Sequence, residues 1–206
     1  MQILDPSFLV IDNINGEEIL KKIERCARVC YKSENRITEN SHKKFVAGLI
    51  KSGHESILEH VSITVKFIVS RAIANEIVRH RIASYSQESS RYCNYKDGIQ
   101  VIMPESVNNK YAYIDACQQA EDAYIELLKE ENSPEIARGV LPNDLKTELI
   151  MTANLREWRH FFKMRCDIHA HPEMRRITRP LLKYFYILIP VIFDDLAEKF
   201  LLEKED

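Results

Sequence analysis

Arg79, His80 and Arg81 are consecutive, and the run that follows, to Arg91, holds Ser84, Ser86, Gln87, Glu88, Ser89 and Ser90. Neighbouring side chains on a helix point about 100° apart, so the Arg-His-Arg trio cannot serve a single group. Such a trio can instead reach different anionic groups, and arginine's planar fork suits phosphate and carboxylate. A second cationic stretch carries Arg156, Arg159, Lys163, Arg165, Arg175, Arg176, Arg179 and Lys183. Residues 71–96 balance at +3 and residues 154–186 at +5, inside a chain whose net charge is −2. The remainder is therefore acidic, which argues for a local anion site and against long polyanion tracks or anionic membrane. The plain alternative is a pair of solvated helix faces, with arginine complementing a helix C-terminus.

Other chemistries fit less well. Ser89 as a nucleophile would need an activating base, and no G-x-S-x-G elbow surrounds it. Asp167, His169, His171 and Glu173 alternate like metal ligands on a strand, and His54 and His60 flank Glu55 and Glu59. A metal-dependent phosphohydrolase is thus the competing enzyme reading. Against it, no H-E-x-x-H is present, and Pro172 with Glu173 suits a helix start; no metal is expected. A nucleotide- or RNA-binding module is the non-enzymatic alternative, which the acidic remainder disfavours.

The five glycines stand alone, with no G-x-G-x-x-G and no P-loop, which excludes the usual nucleotide-cradling loops. Five cysteines without a C-x-x-C read as reduced thiols in a cytoplasmic protein, and Cys26 and Cys30, one turn apart, read as buried. The opening MQILDPSFLVIDN lacks a basic start and does not resemble a secretion signal. YFYILIPVIF, broken by Pro190, is too short to span a bilayer, which takes about 20 residues.

These residues need a scaffold. SFLVI at 7–11 reads as a short strand, 17–30 as an amphipathic helix, and Ser41 as the cap of a helix stopped by Gly53. Residues 61–69 alternate as a half-buried strand, and Ser70 begins a helix through RAIANEIVRHR. Residues 82–95 read as a loop and GIQVIMP as a returning strand. Helices are expected at 115–131, 134–139, 143–164, 172–188 and 191–204, with Pro142, Pro172 and Pro190 near boundaries. The sum is a helix-rich α+β chain, a single domain over 1–206, with a small, mostly antiparallel sheet.

Arg79-His80-Arg81, seven residues and then Ser89 resemble the R-H-R-x7-S signature of the flavin-dependent thymidylate synthases. SGHESILEH at 52–60, ARGVLP at 137–142 and TANLREWRHFFKMRCDIHAH at 152–171 resemble further segments of that family, in order. The resemblance implies the thymidylate synthase-complementing fold. It also implies conversion of dUMP to dTMP, with 5,10-methylenetetrahydrofolate as carbon donor and FAD, reduced by NADPH, as hydride source. Homotetramers with active sites shared between subunits are implied, and neither nucleic acid nor membrane is an implied partner. By resemblance, Ser56, Arg79, His80, Arg81, Gln87, Asn154, Leu155, Arg156 and His160 would contact FAD. Glu76, Ile77, Val78, Arg79, Gln87, Glu88, Ser89, Ser90, Arg91 and Arg138 would contact dUMP. Arg165 would act at the uracil edge, stabilising the N3-deprotonated base, and Ser89 is read as a dUMP ligand. Cys93, nearest the signature, would be dispensable. His54 and His169 occupy family-typical positions. Ser86 and Gln87 depart from the family's common Asn and Glu, the acid coming one residue later at Glu88.

Overall fold

The chain begins in two short strands, β1 (Gln2–Leu4) and β2 (Ser7–Val10), in the computed structural model, which describes residues 1–202. Two compact units follow from the chain path. One comprises Met1–Leu9, Lys66–Arg81 and Tyr85–Met151, the other Val10–Val65, Ile82–Ser84 and the chain from Thr152.

Asn15 caps α1 (Gly16–Arg28), its side chain accepting the Glu18 N–H. Gly16 is required there, because a Cβ would collide with the Leu188 carbonyl oxygen. The next helix, α2 (Ser41–Lys51), is preceded by Asn40 rather than capped by Ser41. Ser41 is instead a cross-link: its hydroxyl accepts the Thr38 N–H at 2.9 Å and lies 2.9 Å from Glu24 Oε2. Gly53, at φ +75°, follows the end of α2 as expected.

The expected alternation builds β3 (Ser62–Ser70), whose Ile63, Val65, Phe67 and Val69 are buried. Ser70 then caps α3 (Arg71–Ile77) by accepting the Ile73 N–H. This helix stops at Ile77, four residues short of the expected Arg81. The segment expected to be a loop contains a strand, β4 (Ala83–Gln87), and β5 (Gln100–Ile102) returns where GIQVIMP predicted. The acidic helix α4 (Lys110–Lys129) starts earlier than expected, capped by Asn109, and α5 (Pro134–Ala137) is a single turn.

The largest departure lies at 143–164, expected as one helix. It is a strand, β6 (Lys146–Asn154), followed by α6 (Leu155–Arg165). Thr147, Leu149, Met151 and Ala153 are buried on one face of β6, a period of two. Asn154 both ends the strand and caps the helix, accepting the Glu157 N–H at 2.9 Å. Two helices complete the chain, α7 (Pro172–Leu188), as expected, and α8 (Pro190–Ala197). The expected helix to 204 passes after Ala197 into a π-helical turn, Glu198–Leu202, and its last two residues lie outside the described residues.

Strands β2, β3, β6 and β4 form one sheet in that order, and β1 pairs with β5 in parallel, Ile3 opposite Val101. Strands β3 and β6 are antiparallel. In the first unit the Arg71 N–H donates to Leu145 O, and in the second the Leu155 N–H donates to Val61 O. The first unit holds a core of Ile99, Val101, Cys117 and Leu145. The second packs Trp158, Phe161, Phe162, Phe185 and Phe193 with ring centroids 5.3–5.8 Å apart, and the Trp158 indole donates to Ile63 O. No helix among the described residues is long and apolar enough to cross a membrane.

All five cysteines are free thiols, but Cys30 is exposed and Cys26 half-buried, because α1 ends at Arg28 and a tight turn carries Cys30 outward. Cys166 is fully buried, which pushes its thiol up to about 12. Since thiolate is the reactive form, iodoacetamide at about pH 8 should label Cys30 well before Cys166. Peptide mass spectrometry reads the order, and equal labelling of the folded protein would contradict it.

Candidate active site

In the first unit, the signature begins in the turn after α3. Val78 and Arg79 leave the helix, Arg79 N–H reaching Glu76 O and His80 N–H reaching Ile77 O. Arg79 and Arg81 are exposed while His80, between them, is buried, so the trio does divide its directions. Tyr85 pins this turn: its hydroxyl lies 2.6 Å from His80 O and 3.0 Å from Ile77 O. Tyr85→Phe removes a hydroxyl shared by both carbonyls. It should lower stability by about 1 kcal/mol, read as a shift in urea midpoint, and no shift would make the clamp idle.

Strand β4 delivers the second half of the signature. Gln87 donates to Thr147 Oγ1 at 3.4 Å. Glu88 is turned inward, accepting from the Tyr95 hydroxyl at 2.8 Å, Lys146 Nζ at 3.0 Å and the Glu148 N–H at 3.2 Å. Lys146 and Lys66 both pair with Glu148, at 3.0 and 2.5 Å, and hold its carboxyl below the usual range against burial. Burial, reinforced by Glu88, pushes the Tyr95 phenol up, so it stays a proton donor. Burial alone would lower the Lys146 pKa, yet the Glu148 and Glu88 carboxylates raise it. The carboxylate of Glu88 is thus committed to bracing β4 on β6.

Ser89 opens a tight turn, its carbonyl accepting the Tyr92 and Cys93 N–H groups and its hydroxyl accepting the Arg91 N–H. No histidine hydrogen-bonds to the Ser89 hydroxyl among the described residues. Ser90 is buried and accepts from Arg138 Nη1 at 3.3 Å, while Arg91 Nε lies 2.7 Å from Glu135 Oε1. The fold therefore gathers residues 87–91 with Arg138 on one patch of this unit.

The second unit holds the other predicted residues. It contains a cavity of about 840 Å³ lined by Arg28, Lys44, Phe45, Tyr31, His54 and Ser56, with Cys30 also on its wall. Arg28 is braced from behind by Glu24 at 2.8 Å and lies 3.9 Å over the Phe45 ring. Arg156, at the start of α6, donates to Glu59 at 2.6 Å, which ties the helix to the tight turn bearing Ser56. Asn154 is spent partly on its cap, and Leu155 is fully buried. His160 lies exposed further along α6. Arg165 ends α6, where α7 secures the backbone: Thr178 Oγ1 donates to Arg165 O at 2.9 Å and Arg179 Nε to Cys166 O at 3.2 Å.

The competing metal ligands do not form a strand. Asp167 Oδ1 accepts the His169 N–H, His171 Nδ1 accepts the Glu173 N–H as the cap of α7, and Glu173 pairs with Arg176. His169 is exposed.

The family model described as thymidylate synthase complementing protein matches residues 10–191. The chain belongs to that family. Over 181 residues it is 37% identical to the flavin-dependent thymidylate synthase of Geobacter sulfurreducens, covering 82% of this chain and 78% of that one. It is 33% identical to the enzyme of the same name from Mycobacteroides abscessus, covering 84% and 78%. The crystal structure of a UMP/dUMP methylase, PolB from Streptomyces cacaoi, bound with 5-Br dUMP, superposes with a TM-score of 0.77. That likeness spans 97% of this chain and 98% of the other at 23% identity, and it shows the fold. As a thymidylate synthase complementing protein, the chain has the expected helix-rich architecture with a small antiparallel sheet.

Three residues around the family signature escaped the sequence reading. Tyr85 was hidden in a segment read as a loop, although Ala83, Tyr85 and Gln87 alternate with Ser84 and Ser86. Lys146 was hidden in the presumed helix. Glu135 carried no local signal, because its partner Arg91 is remote in sequence.

Proposed function

We propose that this protein is a flavin-dependent thymidylate synthase. It converts dUMP to dTMP, taking the carbon from 5,10-methylenetetrahydrofolate and hydride from FAD reduced by NADPH. We further propose a cytoplasmic homotetramer whose active sites are shared between subunits. The observation that carries the reading is the patch of residues 87–91 joined to Arg138. It combines two arginines and two serine hydroxyls, the donors that a nucleoside monophosphate's dianion calls for.

The cavity near α1 and α2 suits part of a flavin dinucleotide. Arg28 and Lys44 supply charge for a pyrophosphate, Phe45 and Tyr31 offer flat apolar surface, and Ser56 offers a hydroxyl. Asn154, Leu155, Arg156 and His160 of the same unit belong to the proposed flavin set, and Arg79, His80, Arg81 and Gln87 are proposed as flavin contacts on the family resemblance, in sites that several subunits share. Bound there, the flavin would supply the hydride that no amino-acid side chain can.

The protein's own residues have three tasks. Arg91, Arg138 and Ser89 hold the phosphate end and fix where the uracil ring lies. Glu88 acts behind them, bracing β4 through Tyr95 and Lys146. Arg165 places a fixed cation at the uracil edge, which favours the N3-deprotonated base and lowers the cost of building charge on the ring. The C5 hydrogen must leave as a proton when the new carbon bond forms.

The decisive assay is tritium release from [5-³H]dUMP by the FAD-loaded protein, with NADPH and methylenetetrahydrofolate present or withheld. Release that requires the full set, with dTMP formed, is expected. A colourless protein that takes up no added FAD and releases no tritium would overturn the reading.

A further inference from the structure

We infer that Glu135 is a positioning residue for Arg91, orienting its guanidinium so that the outer edge faces the phosphate dianion of dUMP. The inference rests on the proposed dUMP site.

The closest approach of Glu135 to Arg91 is at one side of the guanidinium. Glu135 Oε1 meets Arg91 at Nε, 2.7 Å away, on the inner flank of the fork. Its other side-chain contact among the described residues is an approach to Tyr92, with the guanidinium carbon 5.5 Å from the ring centroid. Nη1 and Nη2 are thus left as a pair for a second, bidentate anion. A carboxylate seated on the outer edge would compete with phosphate; one on Nε leaves that edge open and fixes its direction.

The chain around Glu135 has the same logic. Glu135 sits in α5, and the residue after that helix is Arg138, whose Nη1 donates to Ser90. One short segment therefore grips two neighbours in the signature turn, Ser90 through Arg138 and Arg91 through Glu135. Both members of the Arg91–Glu135 pair are about half exposed, at 47% and 49%, so the pair does little for stability. Its effect falls on orientation: without an anchor, a long arginine samples many rotamers and must be ordered by the ligand.

The test uses the FAD-loaded full-length protein, with dUMP varied at saturating folate and NADPH. Glu135→Ala should raise the KM for dUMP about fivefold, the scale of one lost orienting contact, while kcat at saturation and flavin content hold. Glu135→Gln, which keeps the side chain's length but not the charge that draws in the guanidinium, should show most of the same loss. In an Arg91→Met background, Glu135→Ala should cost nothing further, because the group it orients is gone. An unchanged KM in Glu135→Ala would overturn the inference, and a lowered one would mean the carboxylate competes with phosphate. Loss of kcat or flavin in parallel with KM would make the role structural and overturn it too. Arg91→Met alone separates the two levels: if it leaves dUMP binding intact, the proposed dUMP site fails, whatever Glu135 does.

Discussion

Arg165→Lys is expected to lower kcat about a hundredfold, the usual scale for losing one fixed electrostatic contact to developing charge, with little change in flavin content. The substitution is a clean probe for local reasons. Arg165 is the last residue of α6, where a cation complements the helix dipole, and lysine keeps that charge. The backbone there is secured by Thr178 and Arg179, whose side chains donate to Arg165 O and Cys166 O, so the exchange should not displace the helix end. What changes is the head group. Guanidinium is a planar fork that can lie along the edge of a pyrimidine, whereas ammonium is a compact point charge on a flexible stem. Turnover should therefore fall with both dUMP affinity and the flavin spectrum largely kept. Equal loss of flavin and turnover would place Arg165 in cofactor binding and contradict its assigned role at the uracil edge.

The legible parts of the fold were those in which one physical signal stood alone. Residues 61–69 alternate cleanly, and β3 lies there; Pro172 followed by Glu173 marks a helix start, and α7 begins there. The segment 143–164 carried two signals that overlap. Leu145, Leu149, Ile150 and Ala153 satisfy a helical spacing as well as Thr147, Leu149, Met151 and Ala153 satisfy a strand. Burial of the second set is decided by the strand pairing of β6, a contact remote in sequence. Asn154 with Glu157 three residues later was the local clue that a helix begins afresh at that point. Strand β4 escaped because its alternating face, Ala83, Tyr85 and Gln87, is only half-buried, which dilutes the contrast.

The candidate site was legible as a set of residue types, and much less so as a set of contacts. The arginine and serine content of 79–91 pointed to anions without any coordinates. That Glu88 faces Lys146 and Tyr95, or that Glu135 holds Arg91, depends on strand order and on a short helix that brings distant segments together. Periodicity carries no information about such pairs.

Arg159→Met should destabilise the folded chain by about 3 kcal/mol, the lower end of what removing one partner of a buried ion pair costs. Arg159 is 2% exposed and uses four of its five N–H donors: two nitrogens meet the Asp195 carboxylate at 2.7 Å each, Nε meets Glu55 at 3.1 Å, and Ile192 O accepts as well. These contacts tie the tight turn bearing Ser56 and helix α8 to α6. The lower end applies because the stranded acids are not helpless. Asp195 is about half exposed and can rehydrate, and Lys163 remains 3.5 Å from Glu55. The same pair sets a pH dependence. Burial raises the Asp195 pKa, but the hydrogen bonds and charge of Arg159 outweigh it, so the folded-state value lies below the ordinary 3.8. A depressed folded-state pKa makes this contribution complete above the unfolded value and removes it as acid titrates the folded carboxylate. Urea midpoints measured from neutral pH down to about pH 3 should therefore fall on the acid side, and Asp195→Asn should flatten that limb while lowering the neutral plateau. If Arg159→Met matched the parent protein at neutral pH, the buried fork would be a bystander in this fold. An acid limb unaltered by Asp195→Asn would assign the pH dependence to other carboxylates.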